Sequence, residues 1–208
     1  MVMPSRNVLK VDIENSYYHV YARGVARQRI FGDDDDYTYF LQLFSRYLSR
    51  DIQHDTTGRA YAQLTGELEI NTYCLMPNHF HLLIYQVREG AITRLMRGVM
   101  TSYSRYFNTK YKRSGPLFET RYKASRISKQ EYLLHISRYI HLNHKSWRTW
   151  SWSSYLYYSR ESSPEWLVTK RILDLFPTRY HYTEFLADYE DVQRSRDRIK
   201  HDLADSTK

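Results

Sequence analysis

Two histidines separated by one residue, His79 and His81, stand where an apolar segment resumes after Pro77-Asn78, within the stretch Cys74 to Ile84. If Phe80 to Gln86 is a strand, its side chains alternate between faces, so the two imidazoles project from the same face. Two imidazoles on one pleat can share a metal ion, and they can equally be two polar residues at a strand entrance. A second polar group follows later in the chain. His135, Tyr139 and Asn143 recur at i, i+4 and i+8 of a predicted helix. The Tyr139 phenol and the Asn143 carboxamide therefore lie one turn apart and can address the same point in space.

The elements that must position these groups can be read in order. Tyr17 to Arg23 is rich in aromatic and β-branched residues and reads as a first strand ending at Gly24. Asp33 to Asp36 place negative charge at the start of a helix over about Tyr37 to Arg50, where the dipole favours it. Four consecutive carboxylates could also bind a cation, but capping charge is the commoner use. Glu67 to Met76 and Phe80 to Gln86 are the second and third strands, and the short Pro77-Asn78 link predicts that they pair antiparallel. A long helix covers about Ile92 to Tyr111, with Ile92, Leu95, Met96, Val99, Tyr103, Tyr106 and Phe107 on its apolar face. Arg94, Arg97 and Arg105 gather opposite, as a phosphate-tracking stripe or as a solvated face. A basic loop from Lys110 to Lys123 leads to a fourth strand, Tyr122 to Ile127. Ser128 and Glu131 then match a capping box opening the helix that runs to about Asn143. Its core stripe is Leu133, Ile136 and Ile140.

From Lys145 to Trp166 the chain is dense in Trp, Ser and Tyr and is expected to pack back onto the domain. One or two helices follow over 167–190, and the charged stretch from Asp191 to Lys208 is expected to be frayed. Residues 1–14 read as an irregular basic arm. The expected division is a catalytic domain over 1–155 and a helical C-terminal extension over 156–208. The fold class is α+β: an antiparallel sheet of about four or five strands carrying the histidines, with helices packed against it.

Composition narrows the partners. With 31 Lys and Arg against 23 Asp and Glu, the formal charge is +8, which favours a polyanion. Twenty-one tyrosines among basic residues suit base stacking, although many can be core residues. Cys74 is the only cysteine, so no internal disulfide can form and a reducing cytosol fits. No apolar run is long enough to span a membrane, and Met1 to Arg6 lack the layout of a signal peptide. A cytoplasmic location, at the nucleoid when bound to DNA, is expected. No repeat, Gly-rich phosphate loop or zinc ribbon is present.

Several motifs occur in a fixed order: Tyr18-His19-Val20…Arg23-Gly24…Arg27-Gln28…Ile30-Phe31, Leu75-Met76-Pro77-Asn78-His79-Phe80-His81-Leu82-Leu83, Ser114-Gly115-Pro116-Leu117-Phe118…Arg121-Tyr122-Lys123, Arg138-Tyr139-Ile140-His141-Leu142-Asn143 and Trp152-Ser153-Ser154-Tyr155. The series resembles the HUH single-tyrosine transposases, specifically the REP-associated tyrosine transposase branch, over residues 17–155. Trp166 to Tyr189 resembles the C-terminal extension of longer members.

The resemblance implies a ferredoxin-like HUH core. It implies that His79, His81 and Asn143 hold Mg²⁺ or Mn²⁺ on the scissile phosphate of single-stranded DNA, and that Tyr139 is the nucleophile. A free tyrosine hydroxyl has a pKa near 10 and is a poor nucleophile at neutral pH, so a metal that neutralises charge developing on the phosphate lowers the barrier. The product implied is a covalent 5′-phosphotyrosine with a free 3′-hydroxyl, at hairpin-forming repeats. Candidate DNA contacts are Arg94, Arg97, Arg105, Lys110, Lys112, Arg113, Arg121 and Lys123. Tyr132 is the second choice of nucleophile, Glu119 could approach the metal or a water, and His135, His141 and His144 are expected to be structural or DNA-facing. The family usually has proline after Leu-Asn where this chain has His144, which weakens the expected helix stop at Asn143. Monomer and homodimer are both open, since relatives can supply the tyrosine helix in trans. The alternative from another class is a domesticated hairpin-DNA-binding protein that no longer cuts.

Overall fold

The computed structural model describes residues 12–160 and 162–188. Most of the basic arm and the charged tail, with Tyr189, lie outside the described residues. The chain runs β1 (Ser16–Arg23), α1 (Asp34–Leu48), β2 (Leu68–Met76), β3 (His79–Gln86), α2 (Ala91–Lys110) and β4 (Lys123–Ile127). The tyrosine helix α3 (Gln130–His141) comes next, followed by α4 (Tyr155–Ser159), α5 (Lys170–Leu173) and α6 (Arg179–Ala187). The four strands are antiparallel in the order β2-β3-β1-β4. That order, with α1 after β1 and α2 after β3, is the ferredoxin-like split βαβ arrangement.

Alternation along the strands explains the layers. Val20, Phe80, Leu82 and Ile84 face one way and join Phe40, Phe44, Leu95, Val99 and Tyr103 in the main core. Cys74 and Leu83 face the other way and meet Leu133, Ile136 and Ile140 of α3 in a second cluster. The sheet is thus sandwiched between α1 and α2 on one side and α3 on the other. Each fully buried Leu, Ile or Phe contributes about 1.5–3 kcal/mol, so both faces are committed and the strand register is strongly specified.

The β2–β3 link is as short as expected: Met76 pairs with His79 across Pro77-Asn78. Its tip is tied to the segment after β1, because the Pro77 carbonyl accepts from the amides of Ile30 and Phe31 and that of Asn78 from Gly24. A Cβ at Gly24 would sit 2.2 Å from the Gln28 carbonyl oxygen, so the close approach requires glycine.

The acidic run does cap α1. Asp33 accepts from the Asp36 amide and the Asp36 carboxylate reaches back, forming a capping box. The box expected at Ser128 and Glu131 does not form. The N-cap of α3 is Lys129, which makes no side-chain capping bond, and the helix starts at Gln130. Helix α3 also ends at His141, two residues before Asn143.

The Trp- and Ser-rich segment packs back along the outer edge of β2. Leu75 donates to the Trp152 carbonyl, Ser154 to that of Tyr73, and the Trp150 indole to that of Leu75. A register irregularity between Ile70 and Thr72 sets Asn71 apart, and its amide donates to the Val168 carbonyl. An exposed sheet edge is thereby covered.

Candidate active site

Antiparallel register brings the chemistry onto the α3 side of the sheet. On β1, Tyr21 lies opposite His81 and Arg23 opposite His79, while Lys123 of β4 lies opposite Tyr21. Directly paired residues share a face, so His79, His81, Tyr21, Arg23 and Lys123 form one polar patch. His19, two residues before Tyr21, belongs to the same face.

Helix α3 presents Tyr139 to this patch because its buried stripe, Leu133, Ile136 and Ile140, fixes its rotation on the sheet. The Tyr139 ring stands edge-on to both buried imidazoles, with centroids 5.3 Å from His81 and 6.0 Å from His19. Asn143 follows the helix end. Leu142, the C-cap, donates to the Arg138 and Ile140 carbonyls, and Asn143 donates to that of Ile140. The Asn143 carboxamide oxygen then lies 3.2 Å from His79 Nε2. His144, in place of the usual proline, stacks on Trp150 at 3.8 Å and pins the chain leaving the helix.

His79 faces two oxygens: Asn143 Oδ1 at Nε2, and Asn78 Oδ1 2.6 Å from Nδ1. A neutral imidazole has one N–H and satisfies only one of them. Burial lowers the His79 pKa, opposed by Asn143 and helped by the charge of Arg23, so imidazolium is not the favoured solution. With the proton on Nδ1 toward Asn78, the lone pairs of His79 Nε2 and Asn143 Oδ1 face each other. Two neighbouring ligands of an octahedral ion at about 2.1 Å are themselves about 3 Å apart, so this arrangement fits a divalent cation. Among the described residues no group of three or more His, Cys, Asp or Glu could hold a metal. The available donors are two imidazoles and one carboxamide. Glu119 does not join them: its amide donates to the Arg23 carbonyl and it remains exposed.

His81 and His19 are both buried and in contact, His19 Nε2 to His81 Nδ1 at 2.9 Å with the ring planes within 21° of each other. Burial holds His19 at a pKa of about 3. His81 is pushed far down by burial, then by His19, His79 and Arg23. Both are neutral at physiological pH, as a metal-binding imidazole must be. Sequence reasoning passed over His19, Tyr21 and Arg23. Their i, i+2, i+4 spacing put them on one face, but only the pairing of β1 with β3 shows which one.

His141 and His135 have structural partners. His141 is buried, its Nδ1 2.7 Å from the Tyr182 hydroxyl of α6 and its Nε2 2.7 Å from Ser154 Oγ. His135 lies 2.8 Å from the Arg138 guanidinium, which stacks on Phe185. Tyr132 is half-buried against the second cluster, nearly two turns before Tyr139.

The candidate DNA contacts divide by location. Lys123 lies on the histidine face, 6.0 Å from the Tyr21 ring. Arg94, Arg97 and Arg105 project from α2, in the layer on the opposite side of the sheet. Arg94 is ion-paired with Glu67, and the Lys110 ammonium is 2.6 Å from Asp33 and 2.8 Å from buried Asp36. Arg113 lies over the Phe107 ring, and Lys112 is exposed. Arg97 and Arg121 line a groove of about 610 Å³ between α2 and residues 115–122, floored by Met96, Met100 and Leu117.

A ferredoxin-like sheet that turns a His-x-His strand toward a helix presenting one tyrosine, Tyr139, to those histidines defines the HUH single-tyrosine class. Residues 12–143 match the model of IS200-like transposases, and the chain belongs to that family. Among solved structures, that of a REP-associated tyrosine transposase bound to a REP hairpin has the same fold, with a TM-score of 0.52 and 14% identity. The match covers 77% of this chain and 89% of that one. No curated protein matches the chain.

Proposed function

We propose that the protein is a metal-dependent, site-specific single-stranded DNA endonuclease and strand transferase of the REP-associated tyrosine transposase branch, acting at hairpin-forming repeats. The observation that carries this reading is the meeting of Tyr139 with the His79–His81–Asn143 cluster within one chain. Membership in a transposase family supports the chemistry, and the hairpin bound by the structural neighbour supports the substrate class.

In this reading His79, His81 and Asn143 hold the ion, and Tyr139 attacks phosphorus. Bound Mg²⁺ or Mn²⁺ would neutralise charge on the scissile phosphate. Helix α3 supplies orientation, because its buried Ile136 and Ile140 fix it on the sheet and His81 and His19 meet the Tyr139 ring, leaving the phenol less freedom to lose on reaction. Attack forms a phosphorus–oxygen bond to Tyr139, breaks the bond to the 3′-oxygen and leaves that oxygen as a hydroxyl. The ester is conserved in the 5′-phosphotyrosine, so the reverse attack by a 3′-hydroxyl rejoins strands. Arg23 and Lys123 flank the patch and supply positive charge for the phosphates on either side. Arg97 and Arg121, in the groove between α2 and residues 115–122, are the candidates for contacting DNA beyond the patch. Among the described residues no helix is long and apolar enough to cross a membrane.

The test is incubation with single-stranded hairpin oligonucleotides, with Mn²⁺ or with EDTA, read on a denaturing gel. A metal-dependent covalent band that is lost in Tyr139→Phe, with hairpin binding kept, is expected. Tight binding with no adduct under any metal would favour a binding module instead.

A further inference from the structure

The buried pair formed by His19 and His81 has a chemical consequence for the site. His81 has two ring nitrogens, and its Nδ1 is turned into the sheet toward His19 Nε2 at 2.9 Å. Only its Nε2 is left to reach a ligand. A neutral imidazole that ligates through Nε2 must carry its proton on Nδ1. That proton needs an acceptor, and His19 Nε2 is the atom placed to be one.

The opposite polarity, with His19 donating to His81 Nδ1, would place the His81 proton on Nε2 and block ligation. His19 cannot itself be a ligand in this arrangement, because the nitrogen it presents faces the ring of His81 and not the His79–Asn143 gap. Its surroundings hold it there: the His19 ring lies against both Tyr21, with centroids 5.1 Å apart, and His81, at 5.0 Å, with the Tyr139 ring 6.0 Å away. On the other histidine, Asn78 Oδ1 can only accept, and so performs the same task for His79 Nδ1.

We propose that His19 is a positioning residue that accepts the Nδ1 proton of His81, fixing the tautomer and ring orientation in which His81 Nε2 can bind a divalent ion. The inference rests on His81 being a metal ligand, and it assigns a role to a residue outside the ligand set. Partners of this kind orient first ligands, and their loss typically costs 10–100-fold in metal affinity. Because the His19 ring also touches Tyr139, the same bond ties the nucleophile's packing to the ligand's orientation.

Two measurements on the metal-free and metal-titrated protein separate the possibilities. Nitrogen-15 spectra of the metal-free protein should show His81 protonated on Nδ1 in the wild type. His19→Leu, which removes the acceptor while filling similar volume, should abolish that state. Mn²⁺ affinity, read by electron paramagnetic resonance of the free ion, should fall about 10–100-fold in His19→Leu. His19→Gln, which can restore an acceptor, should recover most of it, with melts confirming that both variants fold. A wild-type His81 protonated on Nε2, or equal Mn²⁺ affinity in His19→Leu and wild type, would overturn the proposal. So would an equal loss in the Leu and Gln variants. If the wild type itself bound Mn²⁺ no better than a His79→Ala/His81→Ala variant, the metal site would fail first.

Discussion

Replacing Tyr182 by Phe should loosen the helix that carries the nucleophile without touching the site. Tyr182 and His141 are both fully buried, and the hydroxyl lies 2.7 Å from His141 Nδ1. His141 Nε2 is already engaged with Ser154, so Nδ1 has no second choice. Leaving one buried polar atom unsatisfied costs about 1–3 kcal/mol. A mid-range loss of about 2 kcal/mol corresponds to a drop of roughly 4–8 °C in melting point for a chain of this size. The assay is thermal and urea unfolding of Tyr182→Phe, with Tyr180→Phe as the control. Tyr180 is on the same helix α6 but is 67% exposed, and its loss should leave the melt unchanged. Because His141 is two residues after Tyr139, adduct formation should slow in Tyr182→Phe while hairpin binding is retained. A Tyr182→Phe melt indistinguishable from wild type would refute the claim that α6 anchors the tyrosine helix.

Other outcomes follow from the same contacts. His19 and His141 are held by burial at about 3 against an unfolded value near 6.5. The unfolded chain therefore binds more protons between these values, so their contribution is complete above pH 6.5 and is lost as pH falls toward 3. At pH 5 each should cost about 2 kcal/mol, at 1.36 kcal/mol per pH unit; urea midpoints equal at pH 7.5 and 5 would contradict this. Asp36→Ala should destabilise by about 1–3 kcal/mol, since it removes the buried acceptor of Tyr111 and the Gly32 amide, while Lys110 keeps Asp33. Exposed Asp35→Ala should change stability by less than about 0.5 kcal/mol in the same denaturation assay. Arg97→Ala/Arg121→Ala should weaken single-strand binding and flatten its log–log salt dependence by about 1.4, at about 0.7 per phosphate contact. An unchanged slope would remove the groove from the DNA path.

What could be read from the sequence was whatever local chemistry determines. The β2–β3 hairpin was legible because Pro77-Asn78 interrupts two apolar runs, and the two layers because Leu133, Ile136 and Ile140 keep helical spacing. The one-face placement of His79 and His81 followed from strand periodicity alone. Ser128 and Glu131 misled because a capping spacing says nothing about where β4 releases the chain, and α3 starts at Gln130. The partners of Lys110 and His19 lie 77 and 62 residues away, beyond any local pattern. For the same reason Lys110 looked like part of a basic surface, whereas its ammonium is turned onto the cap of α1.

The central claim is that Tyr139 attacks the phosphate. Trypsin should release Tyr139 on the peptide Tyr139–Lys145 and Tyr132 on Gln130–Arg138, so digestion of the DNA adduct separates the two tyrosines. Mass spectrometry of nuclease-trimmed adduct should find the nucleotide phosphate on Tyr139–Lys145. Finding it on Gln130–Arg138, or on any other peptide, would contradict the account.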